Sequence, residues 1–552
     1  MMQEFIVTLH NYDDLEEFYN DMETPGGNLY IPDREVSCAV RRSISRNTHY
    51  MLTEEEAEEV RSDPRVLACE HIPADLGLTP NPMWTQTANF EKSSTIDSND
   101  KNWGLPSVIQ GLNQTDWGTD GSFTQYNATI SCAGSGKNVD VVIVDEHINP
   151  NHPEFAVNVD GTGGSRVVQY DWFQHSSDVG VSTTGTYDYT KQSVDDSHGT
   201  HVAGTVAGNT QGWARDANIY NMEFSYTASN APTGDWALYV FDYIRYWHRS
   251  KAINSNTGVK NPTIVNNSWG YSIFQINLSS INSVGYQGSV VNLTGLSNPD
   301  KKIALEQNGV PVPFDDYLYN VPGRVAALEA DINDAIADGV IVVASAGNSY
   351  WQIANPIDND YNQNYISVSG IGTVYHMKGS SPGADTNVIC VGSVGTSTNE
   401  YKSVFSNYGP RVDVWAPGSN VVSAVYDTDA ASEFDITLVD DPRNSSYKLG
   451  SISGTSMSSP QVCGYLACLL ESQPTLDQAD AVAWIEQSTT KDRVGTSGGG
   501  FGDYTSLGSG SNNRYLYFYK IRQDDGQAYP TAQYKYRRDS GVVYPRPRIR
   551  RT

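Results

Sequence analysis

Short, continuously apolar runs alternate with helical patterns through most of this chain after residue 103. Six runs have the length and composition of strands: 139–144, 219–224, 263–267, 340–345, 388–394 and 412–415. Helical patterns lie among them at 201–207, 236–249, 324–338 and 456–472. Strands without polar alternation are buried on both faces, and such strands usually pair in parallel beneath helices. The pattern predicts an α/β fold with three layers, a mainly parallel sheet between helices.

Residues 1–75 form a separate unit with another order of elements. Strand patterns at 5–9, 36–44 and 66–70 enclose a helical pattern at 12–22 and a second one after Thr53. Thr53 and Glu56 have the spacing of a capping box, which marks the start of that second helix. The β-α-β-α-β order predicts a small α+β domain of the ferredoxin type.

Composition marks the other boundaries. Residues 76–102 are rich in Pro, Asn, Ser, Thr and Asp without periodicity, which predicts a linker. A domain is expected over 103–490, and 271–322 interrupts its alternation like an insertion. Residues 491–552 form a C-terminal extension, whose last 33 residues hold nine basic and three acidic side chains.

Charge and hydropathy restrict the partners of the chain. Asp and Glu number 64 against 36 Lys and Arg, a net charge of −28, so no nucleic acid is expected on the body. No apolar run reaches about 18 residues, which argues against a membrane span. The N-terminus does not read as a secretory signal, and the six cysteines lack metal-ligand spacing. We expect reduced thiols and cytoplasmic synthesis, with the final location open.

Three strings, in a fixed order, carry the chemistry of amide hydrolysis. Asp145 follows the apolar run 139–144, and His198 opens the string His-Gly-Thr-His-Val-Ala-Gly-Thr. Ser456 lies within Gly-Thr-Ser-Met-Ser-Ser-Pro, residues 454–460. A serine hydroxyl is a weak nucleophile until an imidazole takes its proton and a carboxylate orients that imidazole. The strings predict a relay of these three side chains.

Each member alone has an ordinary structural explanation. Asp145 could close the turn after a strand, and a serine at a helix start is a common N-cap. His201, one turn after His198, is expected to be a packed partner, and His147 lies in a poor motif context for a base. The three complete strings, in order and at domain-scale spacing, carry the prediction.

The strings resemble the signatures of subtilisin-like serine proteases, the subtilases, in which Asp, His and Ser follow in this order. The resemblance covers about 103–490. It implies a subtilisin-like three-layer fold and a serine endopeptidase that works through an acyl-enzyme. The string 341–348 is similar to the family's oxyanion strand, so the side-chain amide of Asn348 is expected to bind the oxyanion.

Two further segments imply the substrate groove. The string 267–270 resembles the family's substrate-pairing strand, which makes Ser268, Trp269 and Gly270 candidate substrate-binding residues. Ala346 and Gly347 would wall the main specificity pocket with them. The insertion at 271–322 follows directly and is expected to cover or narrow the groove.

The resemblance also implies a zymogen. Residues 1–75 resemble the family's propeptide inhibitor, and an autocleavage bond would lie between 73 and 102. The implied partners are protein or peptide substrates and the chain's own propeptide. No cofactor is required. The family often binds structural Ca²⁺, for which the acidic stretch 427–441 is either a candidate or a solvated loop without the spacing of a known calcium loop.

The chain departs from the family beside its aspartate, where Glu146 and His147 replace the usual Thr-Gly. A second carboxylate near His198 favours the imidazolium. The departure predicts a raised acidic limb in the pH–rate profile.

A second function stays open. The chain could be a self-processing structural or docking protein, for example of a virion, that uses the protease fold once. The acidic body and basic tail suit that role. The tail itself is either a solvated terminus or a docking segment for an anionic partner, with Tyr and basic residues alternating around 534–538.

Overall fold

The computed structural model describes residues 2–71 (except 33–35, 37 and 41–44), 83–110, 125–223 (except 182, 184 and 192), 236–397, 400–495 and 505–517, with two strands at 533–536 and 545–548. The chain divides into two compact units, residues 1–81 and 82–552. Residues 72–82, which include the start of the predicted linker, lie outside the described residues, as does most of the tail. None of the helices described here is both long and apolar enough to cross a membrane.

The first unit is a four-stranded antiparallel sheet with two helices. Its elements are β1 (Gln3–Leu9), α1 (Leu15–Glu23), β2 (Cys38–Val40), β3 (Asn47–Leu52), α2 (Glu54–Arg61) and β4 (Val66–His71). The sheet order β2-β3-β1-β4 is that of a ferredoxin-like split βαβ sandwich. The predicted capping box between Thr53 and Glu56 is present. Strand β3 was missed, although the buried Thr48, Tyr50 and Leu52 alternate with less buried neighbours.

The second unit contains the remaining elements. Its strands are β5 (Trp84–Glu91), β6 (Asp100–Asn102), β7 (Gln125–Cys132), β8 (Asp140–Asp145), β9 (Val167–Val168), β10 (Asn218–Glu223), β11 (Thr263–Asn267), β12 (Ser272–Asn277), β13 (Ile281–Tyr286), β14 (Ser289–Asn292), β15 (Tyr317–Pro322), β16 (Val340–Ser345), β17 (Tyr365–Val368), β18 (Gly372–Val374), β19 (Ile389–Val394), β20 (Val414–Pro417), β21 (Val421–Val425), β22 (Val439–Asp441), β23 (Asn444–Ile452), β24 (Thr490–Lys491), β25 (Arg514–Tyr515), β26 (Gln533–Tyr536) and β27 (Pro545–Arg548). Its helices are α3 (Gly104–Gln110), α4 (His198–Ala207), α5 (Val240–Ser250), α6 (Asn298–Gln307), α7 (Ala326–Ala337), α8 (Asp360–Gln363), α9 (Ala430–Glu433), α10 (Thr455–Ser472) and α11 (Gln478–Ser488).

A nine-stranded sheet forms the centre of this unit, in the order β24-β25-β20-β19-β16-β11-β8-β10-β9. Every neighbouring pair is parallel except β24 and β25. Alternate residues of β8 enter different cores: Val141 and Ile143 pack with α4 and α10, whereas Val142 and Val144 pack with α5 and α7. The predicted three-layer α/β fold with a mainly parallel sheet is confirmed.

From residue 84 onward, the predicted linker contains two strands, β5 and β6. Strand β5 pairs antiparallel with β7 along its whole length and parallel with β6. The indole N–H of Trp84 donates to the carbonyl oxygen of Trp213 at 3.1 Å. The prediction failed here because β5 is polar: Thr87 meets Thr129 across the pair with hydroxyl oxygens 2.6 Å apart, and no apolar run marks the strand.

The insertion 271–322 packs around a hydrophobic core that it shares with residues that follow β16. Strands β12 and β15 form one two-stranded sheet, and β13 and β14 extend a second sheet made with β17 and β18. Their inward side chains, among them Ile276, Val284 and Leu318, pack with Trp351 and Ile366. The insertion is therefore folded together with the segment that follows β16, and its predicted effect on a groove stays a prediction.

Candidate active site

The carboxylate and imidazole predicted for the relay are hydrogen-bonded to each other. Asp145 is the last residue of β8 and is fully buried, and His198 is the first residue of α4. Asp145 Oδ1 and His198 Nδ1 lie 2.7 Å apart. Because Nδ1 faces the carboxylate, Nε2 is the ring nitrogen left for a second partner.

Ser456 lies in the first turn of α10 and is tied to the strand beside β8. Its hydroxyl donates to the carbonyl oxygen of Ser268 at 3.1 Å, and Ser268 Oγ donates to the carbonyl oxygen of Ser456 at 2.9 Å. Asn267 is level with Val144 in the parallel register of β11 and β8, so Ser268 comes beside Asp145 at the carboxyl edge of the sheet. In this conformation the Ser456 hydroxyl bonds Ser268, and its contact with the imidazole stays a prediction.

Two further carboxylates lie at the amino end of α4, where the helix dipole favours anions. Glu146 Oε2 accepts the backbone N–H of His198, and Glu433 Oε2 accepts that of Ser197, each at 3.1 Å. Burial raises the pKa of Glu146 to about 8, against the opposing pull of His198. Burial also raises the pKa of Glu433. Each of these carboxylates is therefore harder to ionise than a free glutamate.

The same carboxylates favour the charged form of His198. Burial lowers the pKa of the imidazole, but the charge and hydrogen bond of Asp145 and the charges of Glu146 and Glu433 raise it to about 9. The predicted closeness of Glu146 to His198 is confirmed. Glu433 was not predicted, because it is more than 200 residues away in sequence and no motif marks it.

The amide of Asn348, just after β16, is oriented by Thr455. Asn348 Oδ1 accepts the backbone N–H of Thr455 at 2.8 Å and its hydroxyl at 2.7 Å. With the amide oxygen held, Nδ2 is the group left to donate, and the side chain is exposed. Thr455 was not singled out in the sequence, although it lies inside the Ser456 string.

The predicted substrate segment follows β11. Ser268 is buried, Trp269 is half-buried and Gly270 is exposed. A Cβ on Gly270 would lie 3.3 Å from Cβ of Ser380, so this segment runs close against its neighbour. The structure thus places the three residues directly after the strand that carries Ser268 to the edge.

Ala346 and Gly347 follow β16 in a loop held by Asn407. Asn407 Nδ2 donates to the carbonyl oxygen of Ala346 at 2.8 Å, and Oδ1 accepts the N–H of Ser349 at 3.1 Å and of Trp351 at 2.8 Å. Gly347 has φ of +100°, and a Cβ there would lie 2.4 Å from Asn407 Nδ2, so only glycine fits. The sequence assigned Asn407 no role, and its position in a loop offers no periodic signal.

The two neighbouring histidines have other partners. His147 Nδ1 lies 2.8 Å from Asp196 Oδ2. His201 Nε2 donates to the carbonyl oxygen of Val421 at 3.0 Å, and burial lowers its pKa to about 3. The prediction that His201 is a packed partner is confirmed.

Four carboxylates of the acidic stretch are paired with side-chain cations. Lys191 Nζ lies 2.9 Å from carboxylates of both Asp427 and Asp429, and the stretch pairs again at Lys448 and Arg443. Within the described ranges, no three or more His, Cys, Asp or Glu side chains are grouped to hold a metal ion. Four carboxylates of the stretch thus have a cationic partner, and a structural Ca²⁺ site there stays a prediction.

The fold and this site define a class: an α/β protein that brings a serine segment and an Asp–His pair to one edge of a parallel sheet. Residues 136–510 match the model of the subtilase family. The chain belongs to this family of serine proteases.

The chain is also similar to individual proteins. The chain is 25% identical over 441 residues to subtilisin-like protease 8 of Arthroderma otae, covering 80% of this chain and 62% of that protein. It is 24% identical over 444 residues to alkaline serine exoprotease A of Vibrio alginolyticus, covering 80% and 55%. The chain thus spans only about three-fifths of the length of such relatives. The crystal structure of a cold adapted subtilisin-like serine proteinase aligns with a TM-score of 0.43 at 21% identity, covering 77% of this chain and 98% of that one.

Proposed function

We propose that this chain is a serine endopeptidase in which Asp145, His198 and Ser456 form the catalytic triad. The observation that carries the proposal is the 2.7 Å hydrogen bond from His198 to Asp145, at the edge where Ser456 is tied to Ser268. Membership of the subtilase family supports it. The substrates would be polypeptides, hydrolysed through an acyl-enzyme.

His198 would act as general base and then general acid. Nε2 accepts the proton of the Ser456 hydroxyl as its oxygen attacks the peptide carbonyl, and returns that proton to the leaving amine. The hydroxyl first has to rotate from Ser268 towards the ring.

Two N–H donors would bind the oxyanion of the tetrahedral intermediate. One is Asn348 Nδ2, and the other is the backbone N–H of Ser456, in a helical turn whose amides lack intrahelical partners. Thr455 supports this role, because its two hydrogen bonds hold the amide of Asn348 before substrate arrives. Donors fixed in advance need no reorganisation during the reaction.

The substrate backbone would add as a strand along 268–270. The side chain before the scissile bond would enter a pocket walled by Ala346 and Gly347. Asn407 supports this wall, because it bonds the loop at three backbone positions.

The first unit would be a propeptide inhibitor, removed by self-cleavage. Residues 84–102 are built into the second unit: Asn102 donates to the carbonyl oxygen of Gln211 at 3.0 Å and accepts from Gln461 Nε2 at 3.1 Å. Excising this segment would break these bonds and the pairing of β5 with β7. The processing bond is therefore proposed to lie before Trp84.

Intact mass and casein hydrolysis, measured on the wild type and Ser456→Ala, test the proposal. The wild type should lose an N-terminal fragment and degrade casein, and the variant should do neither. Ser453→Ala, an exposed serine three residues earlier, is the matched control and should behave as wild type. Self-cleavage without casein hydrolysis would favour the self-processing docking protein, and processing by Ser456→Ala would overturn both.

A further inference from the structure

A second imidazole–carboxylate pair repeats the first at a spacing of two residues. His147 follows Asp145 by two positions, and Asp196 precedes His198 by two. Asp196 engages His147 twice: Oδ2 lies 2.8 Å from ring Nδ1, and Oδ1 accepts the backbone N–H at 3.1 Å. The segment after β8 and the segment before α4 are therefore joined at both pairs.

The second pair is more deeply enclosed than the first. His147 is 1% exposed and Asp196 is 4% exposed. Burial lowers the pKa of His147, but the hydrogen bond and charge of Asp196, the charge of Glu223 and the backbone carbonyl of Asp188 raise it. Breaking a charged pair at such depth is strongly unfavourable, because either partner alone would be a buried uncompensated charge.

Further contacts between the two segments connect the two pairs to each other. Glu146 Oε2 accepts the N–H of His198 at 3.1 Å. The segments touch so closely that a Cβ on Gly199 would lie 2.3 Å from the carbonyl oxygen of Glu146. Thr200 Oγ1 donates to the carbonyl oxygen of His147 at 3.1 Å. A displacement of one pair would therefore also displace the other.

We propose that His147 and Asp196 are positioning residues of the catalytic site, an inference that rests on the proposed function. They fix how Asp145 faces the imidazole of His198. Through that hydrogen bond they fix the direction of Nε2. Neither residue touches the reacting atoms. A displacement of about 1 Å in such a relay costs about 10²-fold in rate, so the loss of the outer pair should appear in turnover.

A buried ion pair at the other end of β8 offers a matched control. Lys251 Nζ lies 2.7 Å from Asp140 Oδ2, with the side chains 8% and 4% exposed. Asp140 is the first residue of β8, at the end opposite Asp145. Replacing Lys251 therefore also breaks a buried ion pair and lowers stability, but at the end of β8 that lies away from the proposed site.

The experiment measures kcat, KM and Tm on a peptide substrate for His147→Ala, His147→Asn, Asp196→Asn and Lys251→Ala. Asparagine keeps a donor near the position of Nδ1. We expect His147→Ala and Asp196→Asn to lower kcat about 10–100-fold with KM within about twofold. His147→Asn should restore most of that loss, and Lys251→Ala should lower Tm without lowering kcat.

Two outcomes would overturn the proposal: a wild-type kcat in Asp196→Asn, or a loss in His147→Ala that His147→Asn does not restore. Asp196→Asn decides the question even if His147→Ala does not fold. Ser456→Ala separates this proposal from the proposed function. Turnover that does not depend on Ser456 would overturn the proposed function itself. Turnover that depends on Ser456 but is unchanged in Asp196→Asn would overturn only the positioning role.

Discussion

The groups that the proposed chemistry needs are each held in place by hydrogen bonds to one nearby residue. Thr455 holds the oxygen of the Asn348 amide with two bonds, and Asn407 holds the loop that carries Gly347. Glu146 caps the helix that begins at His198. Each contact is local, so each can be tested by one substitution.

Asn348→Ala should lower kcat by about 10²–10³ with little change in KM, the loss known for removal of the corresponding amide of subtilisin. Thr455→Val should lower kcat less, by about tenfold, because the amide remains and loses only the hydroxyl bond, while the bond from the backbone N–H of residue 455 is kept. Steady-state kinetics on one peptide substrate measure both. Wild-type kcat in Asn348→Ala would remove this residue from the oxyanion site.

Glu146→Gln should move the acidic limb of kcat/KM to lower pH by about one unit. Only neutral imidazole accepts a proton, so activity rises as pH rises through the raised pKa of His198. Removing the charge of Glu146 lowers that pKa, while glutamine still accepts the N–H of His198. Asp315→Asn, on the exposed surface of the insertion, is the control. An unmoved limb in Glu146→Gln would refute the electrostatic account.

The sequence predicted those site residues that lie in strings with a fixed chemical order. Asp145, His198 and Asn348 were singled out because strand-end positions and the strings around them constrain them together; the structure bonds Asp145 to His198, and the catalytic roles stay predictions. Thr455 and Glu433 were missed for different reasons. Thr455 stood beside a more conspicuous serine, and Glu433 reaches Ser197 only through folding.

At the scale of elements, a buried ion pair joins three loops around α4. Glu154, in the 3₁₀ turn after β8, bonds the N–H of Thr210 at 2.9 Å and that of Gln211 at 3.1 Å, and pairs with Arg443 of the β22–β23 turn. Burial opposes its ionisation, but Arg443 and the bonds from Thr210 lower the pKa of Glu154 to about 2. The charged form is therefore part of the folded state.

Glu154→Gln should lower the free energy of unfolding by about 3 kcal/mol at pH 7, since it breaks a buried ion pair. The folded pKa lies below the usual value of 4.5, so this stability is fully present above about pH 4.5 and is lost as pH falls towards 2. Urea unfolding in the Ser456→Ala background, which prevents self-digestion, measures it. The exposed Asp160→Asn is the control. If the loss of unfolding free energy in Glu154→Gln stayed the same at low pH, Glu154 would not be ionised in the folded state as described.

Elements with unbroken apolar runs were predicted well, and polar edge elements were not. Strands β11 and β16 match their predicted bounds, because both faces of each are buried. Strand β5 is mostly polar, begins with half-buried and exposed residues in alternation, and was taken for a linker. Its stability comes from pairing with β7, a partner that local composition cannot reveal.

At the scale of the whole molecule, the chain consists of two units, and the boundary lies before Trp84 rather than near residue 103. N-terminal sequencing of the processed protein should therefore give a first residue before Trp84. The reason is that β5 and β6 contribute pairing and buried contacts to the second unit. A first residue between 92 and 103 would show that these strands are dispensable.

The central claim is that Ser456 is the nucleophile of a relay through His198 and Asp145. Labelling of the processed protein with a fluorophosphonate, followed by peptide mapping, tests it most directly. The account predicts one equivalent of label on Ser456 and its loss in His198→Ala. Label on another serine, or none in a folded and processed protein, would contradict it.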